Sequence, residues 1–233
     1  MDQISYTRTK ESQHTHWWFK SRREIFKKIL DVYLFKKKDL EILDYGAGIG
    51  ANHEVISHYG MCSAYEPNSK VAKILQKKYK VLKVIKKKYD LIFFTDTLEH
   101  VKDDKKLFKF LSSKLKKNGT LFLTVPSYQF LFSSKDRVLH HYRRYNKKDL
   151  LLIKPKALKV LKFTSFNTFL FFPISFMLLF FKLFNVDFSD SVERAPNKIF
   201  NYIFFRIFSF EKKFLPYLDF PFGISQLMVL RKK

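Results

Sequence analysis

Residues Ile42-Leu43-Asp44-Tyr45-Gly46-Ala47-Gly48-Ile49-Gly50 pass from an apolar strand through an aspartate into three glycines at alternate positions, and a segment able to start a helix follows. Glycine has no Cβ and tolerates positive φ, so the backbone here can turn sharply and run close to a ligand. Strand, glycine turn and helix start, in that order, form the nucleotide-side loop of a doubly wound α/β fold.

The chain keeps to that plan as far as residue 166. Apolar runs at 41–45, 62–65, 81–85, 91–94 and 120–125 predict strands. Helical patterns fall at 51–58, 69–78 and 104–115, with Asn118-Gly119 as a stop signal. Alternation at this spacing implies a mainly parallel sheet flanked by helices. Upstream, Trp18, Ile25, Ile29 and Val32 lie at helical spacing within 17–34, and further strands are expected at 157–166 and 225–230. The expectation is one domain on a doubly wound, mostly parallel seven-stranded sheet. Its parts are a helical cover (1–38), a cofactor-binding core (39–166), a Phe-rich helical insertion (167–222) and a last strand (223–233).

Composition narrows the class. At 233 residues and 46% hydrophobic the chain can bury a core, which excludes wholesale disorder. The first residues lack a secretory pattern, and the lone Cys62 rules out an internal disulfide or a cysteine zinc cluster, so a cytoplasmic protein is expected. The formal charge of +24 comes from 45 Lys and Arg against 21 Asp and Glu. It suits a polyanionic partner, nucleic acid or an acidic membrane surface, and it equally fits a lysine-rich background spread along the chain.

Two cofactor classes fit the glycine turn. Gly46, Gly48 and Ala51 satisfy the dinucleotide pattern, and Glu66 follows at a strand end, where an acid can receive ribose hydroxyls. Asp44 discriminates. A carboxylate delivered to this loop repels a pyrophosphate, at a cost on the order of 4 kcal/mol for like charges about 4 Å apart. S-adenosylmethionine has no phosphate and carries a cationic ammonium and sulfonium, so an acidic strand end suits it better.

With these residues the sequence resembles the class I S-adenosylmethionine-dependent methyltransferases. Asp44 with Gly46, Gly48 and Gly50 matches their first motif, and Glu66, followed by Pro67, matches their ribose-binding acid. Tyr89-Asp90-Leu91-Ile92 with Asp96-Thr97-Leu98-Glu99-His100-Val101 is similar to their fourth strand and the loop after it. Lys117-Asn118-Gly119-Thr120-Leu121 is similar to the turn into the fifth. The likeness covers most of 41–126. It implies S-adenosyl-L-methionine as cofactor, with Asp44, Gly46, Ala47, Gly48, Gly50, Glu66, Pro67, Asp96, Thr97 and Leu98 around it.

Outside that core, His16-Trp17-Trp18-Phe19 with Arg22-Arg23, Asp136 with His141-Tyr142-Arg143-Arg144-Tyr145, and Pro221-Phe222-Gly223-Ile224-Ser225 resemble one bacterial and archaeal subgroup. Its members are often associated with surface-glycan or lipid-linked sugar pathways. There is one departure. Lys86-Lys87-Lys88 leads straight to Tyr89-Asp90 without the acid that relatives place near the adenine, which leaves adenine to backbone and stacking contacts or to a weaker hold.

Methyl transfer from a sulfonium is a displacement, accelerated by aligning the acceptor with the methyl group. A base is needed only where the acceptor is a hydroxyl or a protonated amine. Candidates follow the fifth strand, at the carboxyl end of the sheet. His141 is the expected base, Asp136 its orienting partner, and Arg143 or Arg144 the forked holder of an anionic substrate group. His100 is a second candidate base near the methyl position, or a turn cap beside the cofactor. No metal site is expected, because His14 and His16 have no cysteine or well-spaced acid nearby.

Residues 169–181 carry no charge and are interrupted by Pro173, a run short of the roughly 20 residues of a bilayer span. A second helix is expected over 197–213, with Ile199, Phe200, Ile203, Phe204, Ile207 and Phe210 on one face and Glu211 breaking that stripe. A hydrophobic lid, an in-plane membrane anchor and a spanning helix all fit the pattern. The expected function is methyl transfer to a small-molecule or lipid-linked glycan acceptor, by O-methylation. The alternatives are a nucleic-acid (RNA) methyltransferase and a degenerate membrane-associated scaffold. Against the first of these, Thr95-Asp96-Thr97-Leu98 lacks the Asn/Asp-Pro-Pro-aromatic signature of enzymes that methylate exocyclic base amines.

Overall fold

Successive side chains of a strand point to opposite faces, and a sheet covered by helices on both sides needs apolar residues at both sets of positions. A computed structural model describes residues 12–35, 37–184, 186 and 196–233. Among them, β1 (Leu40–Tyr45), β2 (Gly60–Tyr65), β3 (Tyr89–Thr95), β4 (Leu115–Pro126), β5 (Leu158–Phe166) and β6 (Ser225–Lys232) form one sheet in the order β2-β1-β3-β4-β6-β5. Strands β1 to β4 run parallel, and β6 is antiparallel to both β4 and β5.

The described residues form six strands where seven are expected. The 81–85 stretch contributes only an isolated bridge from Val81 to Ala64. Lys83 interrupts it, Lys80 and Lys86 flank it, Val84 is exposed and Ile85 alone is buried, so it has no second apolar face to cover.

The α-helices among the described residues are α1 (Trp17–Tyr33), α2 (His53–Ser57), α3 (Ser69–Leu75), α4 (Asp104–Ser113), α5 (Ser134–Val138), α6 (Lys147–Ile153), α7 (Phe171–Leu183) and α8 (Lys198–Phe210). On one side of the sheet Ile25, Phe26, Ile29 and Leu30 of α1 join Phe208 of α8 over Phe93, Phe122, Phe166 and Val229. On the other side Phe108 and Leu111 of α4 and Leu150 of α6 cover Phe94, Leu121, Leu123 and Met228. Adjacent residues Phe93 and Phe94 thus serve opposite layers. Phe93 stacks on Phe122 at 4.9 Å, and Phe26 meets Phe122 edge-on at 5.1 Å. Burying each such ring contributes about 1.5–3 kcal/mol.

The insertion folds back on the domain. Trp17 lies 5.5 Å from Phe204 and Trp18 lies 5.4 Å from Phe208, ring centre to ring centre, while Trp17 N–H donates to Asn201 Oδ1 at 2.8 Å. α7 buries Ser175 and Leu178 but exposes Phe172, Phe176 and Leu183. No helix among the described residues is long and apolar enough to cross a membrane.

Glu211 is fully buried at the end of α8. Its Oε2 accepts from the Asn167 N–H at 2.8 Å, and its Oε1 accepts from those of Thr168 and Phe169 at 2.6 and 3.0 Å. One carboxylate thereby joins both ends of the insertion. Burial pushes its pKa up to about 7 against the backbone hydrogen bonds that lower it. The native state holds this proton more tightly than the unfolded chain does. Its contribution is therefore greatest at low pH and is lost as pH rises from 4.5 to about 7. Glu211→Ala leaves three N–H groups without their acceptor, two of them in buried bonds, and should cost about 3 kcal/mol. Urea denaturation across that window should also show a flatter pH dependence in the variant.

Candidate active site

The strand order reverses between β1 and β3, so the loops leaving their carboxyl ends diverge and open a crevice. A cleft of about 570 Å³ lies there, within the range of small-molecule sites. Its floor is the glycine turn. Gly46 has φ +71°, and a Cβ on it would fall 2.3 Å from Thr97 Oγ1. Gly48 has φ +55° and no atom within 4 Å on its Cβ side, so its bare backbone faces open space.

The Gly48 N–H donates to Glu66 Oε2 at 2.8 Å, and the Asn68 N–H donates to Oε1 at 2.9 Å. These bonds fix Glu66 at the end of β2 while each oxygen keeps a lone pair for another donor. Burial raises the pKa of Glu66, and the two N–H donors oppose that rise. Asp44 is buried at the end of β1, with Oδ2 3.3 Å from His53 Nδ1, and burial raises its pKa too. An open glycine turn, a pinned acid with free lone pairs and a second acid beneath the turn fit an adenosyl group with a cationic end. Ala47, Pro67, Asp96 and Thr97 line the same cleft.

Two residues expected around the cofactor lie elsewhere. Gly50 sits beneath the Tyr79 ring and Leu75, and Leu98 is fully buried in the core, so both shape the loops from behind.

The opposite wall is built on Asp136. A Ser133 capping box starts α5 and turns Asp136 inward, with Ser133 N–H and Oγ donating to Oδ2 at 2.9 and 3.1 Å. His141 Nδ1 donates to Oδ1 at 2.8 Å, and Arg144 grips both oxygens, Nε to Oδ1 at 2.9 Å and Nη2 to Oδ2 at 2.8 Å. Burial alone would raise Asp136, but His141 and Arg144 outweigh it and hold the carboxyl well below the usual range. With Nδ1 spent on Asp136, His141 presents Nε2.

Both arginines expected to hold a substrate anion are engaged within the protein. Arg144 spends its fork on Asp136, and Arg143 does not line the cleft. Arg143 bonds Asp104 Oδ2 and the Lys102 carbonyl, both at 2.8 Å, while Tyr145 donates to the same Asp104 oxygen at 2.9 Å.

His100 stands beside His141, ring centres 4.5 Å apart, and burial followed by the His141 neighbour holds its pKa down to about 4. Glu99 lies next to it, its pKa raised well above the ordinary value by burial and then by Asp96. Two cleft residues, Arg22 and Glu99, lie within the quoted motifs without an expected role, and His53, which backs Asp44 from outside the cleft lining, gives no signal in the sequence. Arg22 interrupts the apolar face of α1 and stands in the motif that begins at His16. It crosses over the rings of Trp18, Phe26 and Phe166, pairs with Asp96 and donates to Thr124 Oγ1 at 3.1 Å. Thr124 also holds Asp96, which keeps a left-handed φ of +47° at the tip of β3. Trp17 and Trp18 of α1 and Ile174, Met177 and Leu178 of α7 close the cleft with apolar surface.

The methyltransferase domain family matches residues 17–161. A search of curated proteins found no match to the sequence. Among solved structures, the plantazolicin methyltransferase BpumL, bound to a triazolic desmethylPZN analog and S-adenosylhomocysteine, is 16% identical with a TM-score of 0.59, covering 99% of this chain and 90% of that one. The N-methyltransferase NodS from Bradyrhizobium japonicum, also bound to S-adenosylhomocysteine, is 11% identical with a TM-score of 0.55 over 92% of this chain and 87% of its own. Coclaurine N-methyltransferase, bound to N-methylheliamine and S-adenosylhomocysteine, is 16% identical with a TM-score of 0.52, covering 88% and 72%. At these identities the likeness is one of fold. Since the family match takes in α1, the glycine turn, Glu66 and the whole Asp136 wall, this chain belongs to the methyltransferase domain family and is an S-adenosylmethionine-dependent methyltransferase in fold and in the build of its cofactor cradle.

Proposed function

We propose that the enzyme methylates a hydroxyl on a small-molecule or lipid-linked glycan acceptor. The observation that carries this reading is the His141–Asp136 couple in the wall of the cofactor cleft. Such a couple suits an acceptor that must lose a proton, and a neutral amine needs no such help. Bound in the cradle, S-adenosylmethionine supplies an electrophilic methyl on a cationic sulfur.

The residues of the chain do the rest. Asp44 offers negative charge to the cationic end, and Glu66 accepts from the ribose hydroxyls. His141 takes the acceptor proton at Nε2 while Asp136 keeps the ring oriented. Trp17, Trp18 and Leu178 keep water from the acceptor side. The lipid-linked form of the acceptor is supported by the apolar residues that α7 and α8 leave exposed, among them Phe172, Phe176 and Ile199, and by the basic excess of the chain.

In Gly46→Val the side chain must displace Thr97, and Asp44→Ala removes the buried acid. Each should abolish S-adenosylhomocysteine binding by calorimetry, and retained affinity in both would overturn the cradle. His141→Ala should leave that binding intact and lower turnover by about 10² to 10⁴-fold. With labelled S-adenosylmethionine and a cell extract, methyl groups should enter the membrane-lipid fraction. Incorporation into RNA would instead identify a nucleic-acid enzyme.

A further inference from the structure

Glu99 is 1% exposed, and its Oε2 has no hydrogen-bond partner among the described residues. A buried, unpaired carboxylate oxygen is costly and calls for an explanation. One ligand atom from each of Glu99, His100 and His141 lies within 4.8 Å of the other two, on the wall of the cleft. Both imidazoles are held from behind, His141 by Asp136 at 2.8 Å and the His100 ring by the Leu139 carbonyl. Imidazoles that bind metals are fixed in this manner, one nitrogen donating to a carboxylate or carbonyl and the other left as ligand. The neighbouring guanidinium groups are already on acids, Arg22 on Asp96 and Arg144 on Asp136.

We propose that Glu99, His100 and His141 bind a divalent first-row cation of the zinc or manganese type, with coordination positions left open toward the cleft. One carboxylate and two imidazoles suit such cations, whereas all-oxygen shells suit magnesium and calcium, and thiolates suit copper(I). Bonds of about 2.1 Å place ligand atoms roughly 3.5 Å apart, so the three side chains close by about 1 Å, a rotamer-scale adjustment. The use of the site rests on the methyl-transfer reading of the cleft. A bound cation would polarise an acceptor oxygen and acidify its proton. It would take Nε2 of His141 as a ligand and relieve that residue of the base's task.

The test uses untagged full-length protein, stripped with a chelator. Equilibrium dialysis against Zn²⁺, Mn²⁺ or Mg²⁺ with mass-spectrometric metal counting gives stoichiometry and affinity, and Co²⁺ serves as a visible-absorption probe. The expected result is one zinc or manganese per chain, a cobalt ligand-field band, and affinity weakened about 100-fold or more in Glu99→Gln and His100→Ala. S-adenosylhomocysteine binding, measured on the same samples, reports that each variant is folded. Wild-type protein that binds S-adenosylhomocysteine but takes up none of these cations overturns the site and leaves the transfer reading standing. Uptake unchanged in both variants also overturns it. One-to-one uptake lost in the variants, in protein that binds no S-adenosylhomocysteine, supports the site and overturns the transfer reading.

Discussion

The cleft wall that faces the glycine turn depends on one buried carboxylate. Asp136 receives five hydrogen bonds, from the N–H and hydroxyl of Ser133, the His141 ring and two nitrogens of Arg144. Without it, Arg144 would be a buried cation lacking a counter-charge, a loss of about 3–5 kcal/mol. The same carboxylate fixes the tautomer of His141. A short helix, a capping box and the His141 ring are thus tied to a single electrostatic object, and the fold cannot relax one without the others.

The sheet supplies the complementary half. Its reversal at β1 and β3 brings the glycine turn against the loop that carries Asp96, Glu99 and His100, so groups from three distant stretches of chain meet over one crevice. Arg22 extends this convergence to α1. Its guanidinium reaches Asp96 across three aromatic rings, which couples the N-terminal helix to the strand tip where the backbone is strained.

Local chemistry was legible in the chain. The turn at Gly46 and Gly48, the acid at Glu66 and the helical period of α1 each write their physics into a few adjacent letters. So does the Asp136–His141 pair, five residues apart. What escaped was decided by distance. Arg143 looked free because Asp104, its partner, lies thirty-nine residues upstream. Glu211 looked like a flaw in an apolar stripe because the three N–H groups it serves are more than forty residues away. The 81–85 run has strand composition, but it makes only the bridge from Val81 to Ala64 and leaves Val84 exposed.

The bond from Trp17 to Asn201, with the rings of Phe204 and Phe208 around it, has a further consequence. The phenylalanine-rich segment is no detachable cassette. Excising it would strip both indoles and the Phe166 ring of their covering, leaving bare apolar surface beside the cleft. Any shortening of this region therefore calls for a rebuilt α1 as well, because the two segments share one apolar seam.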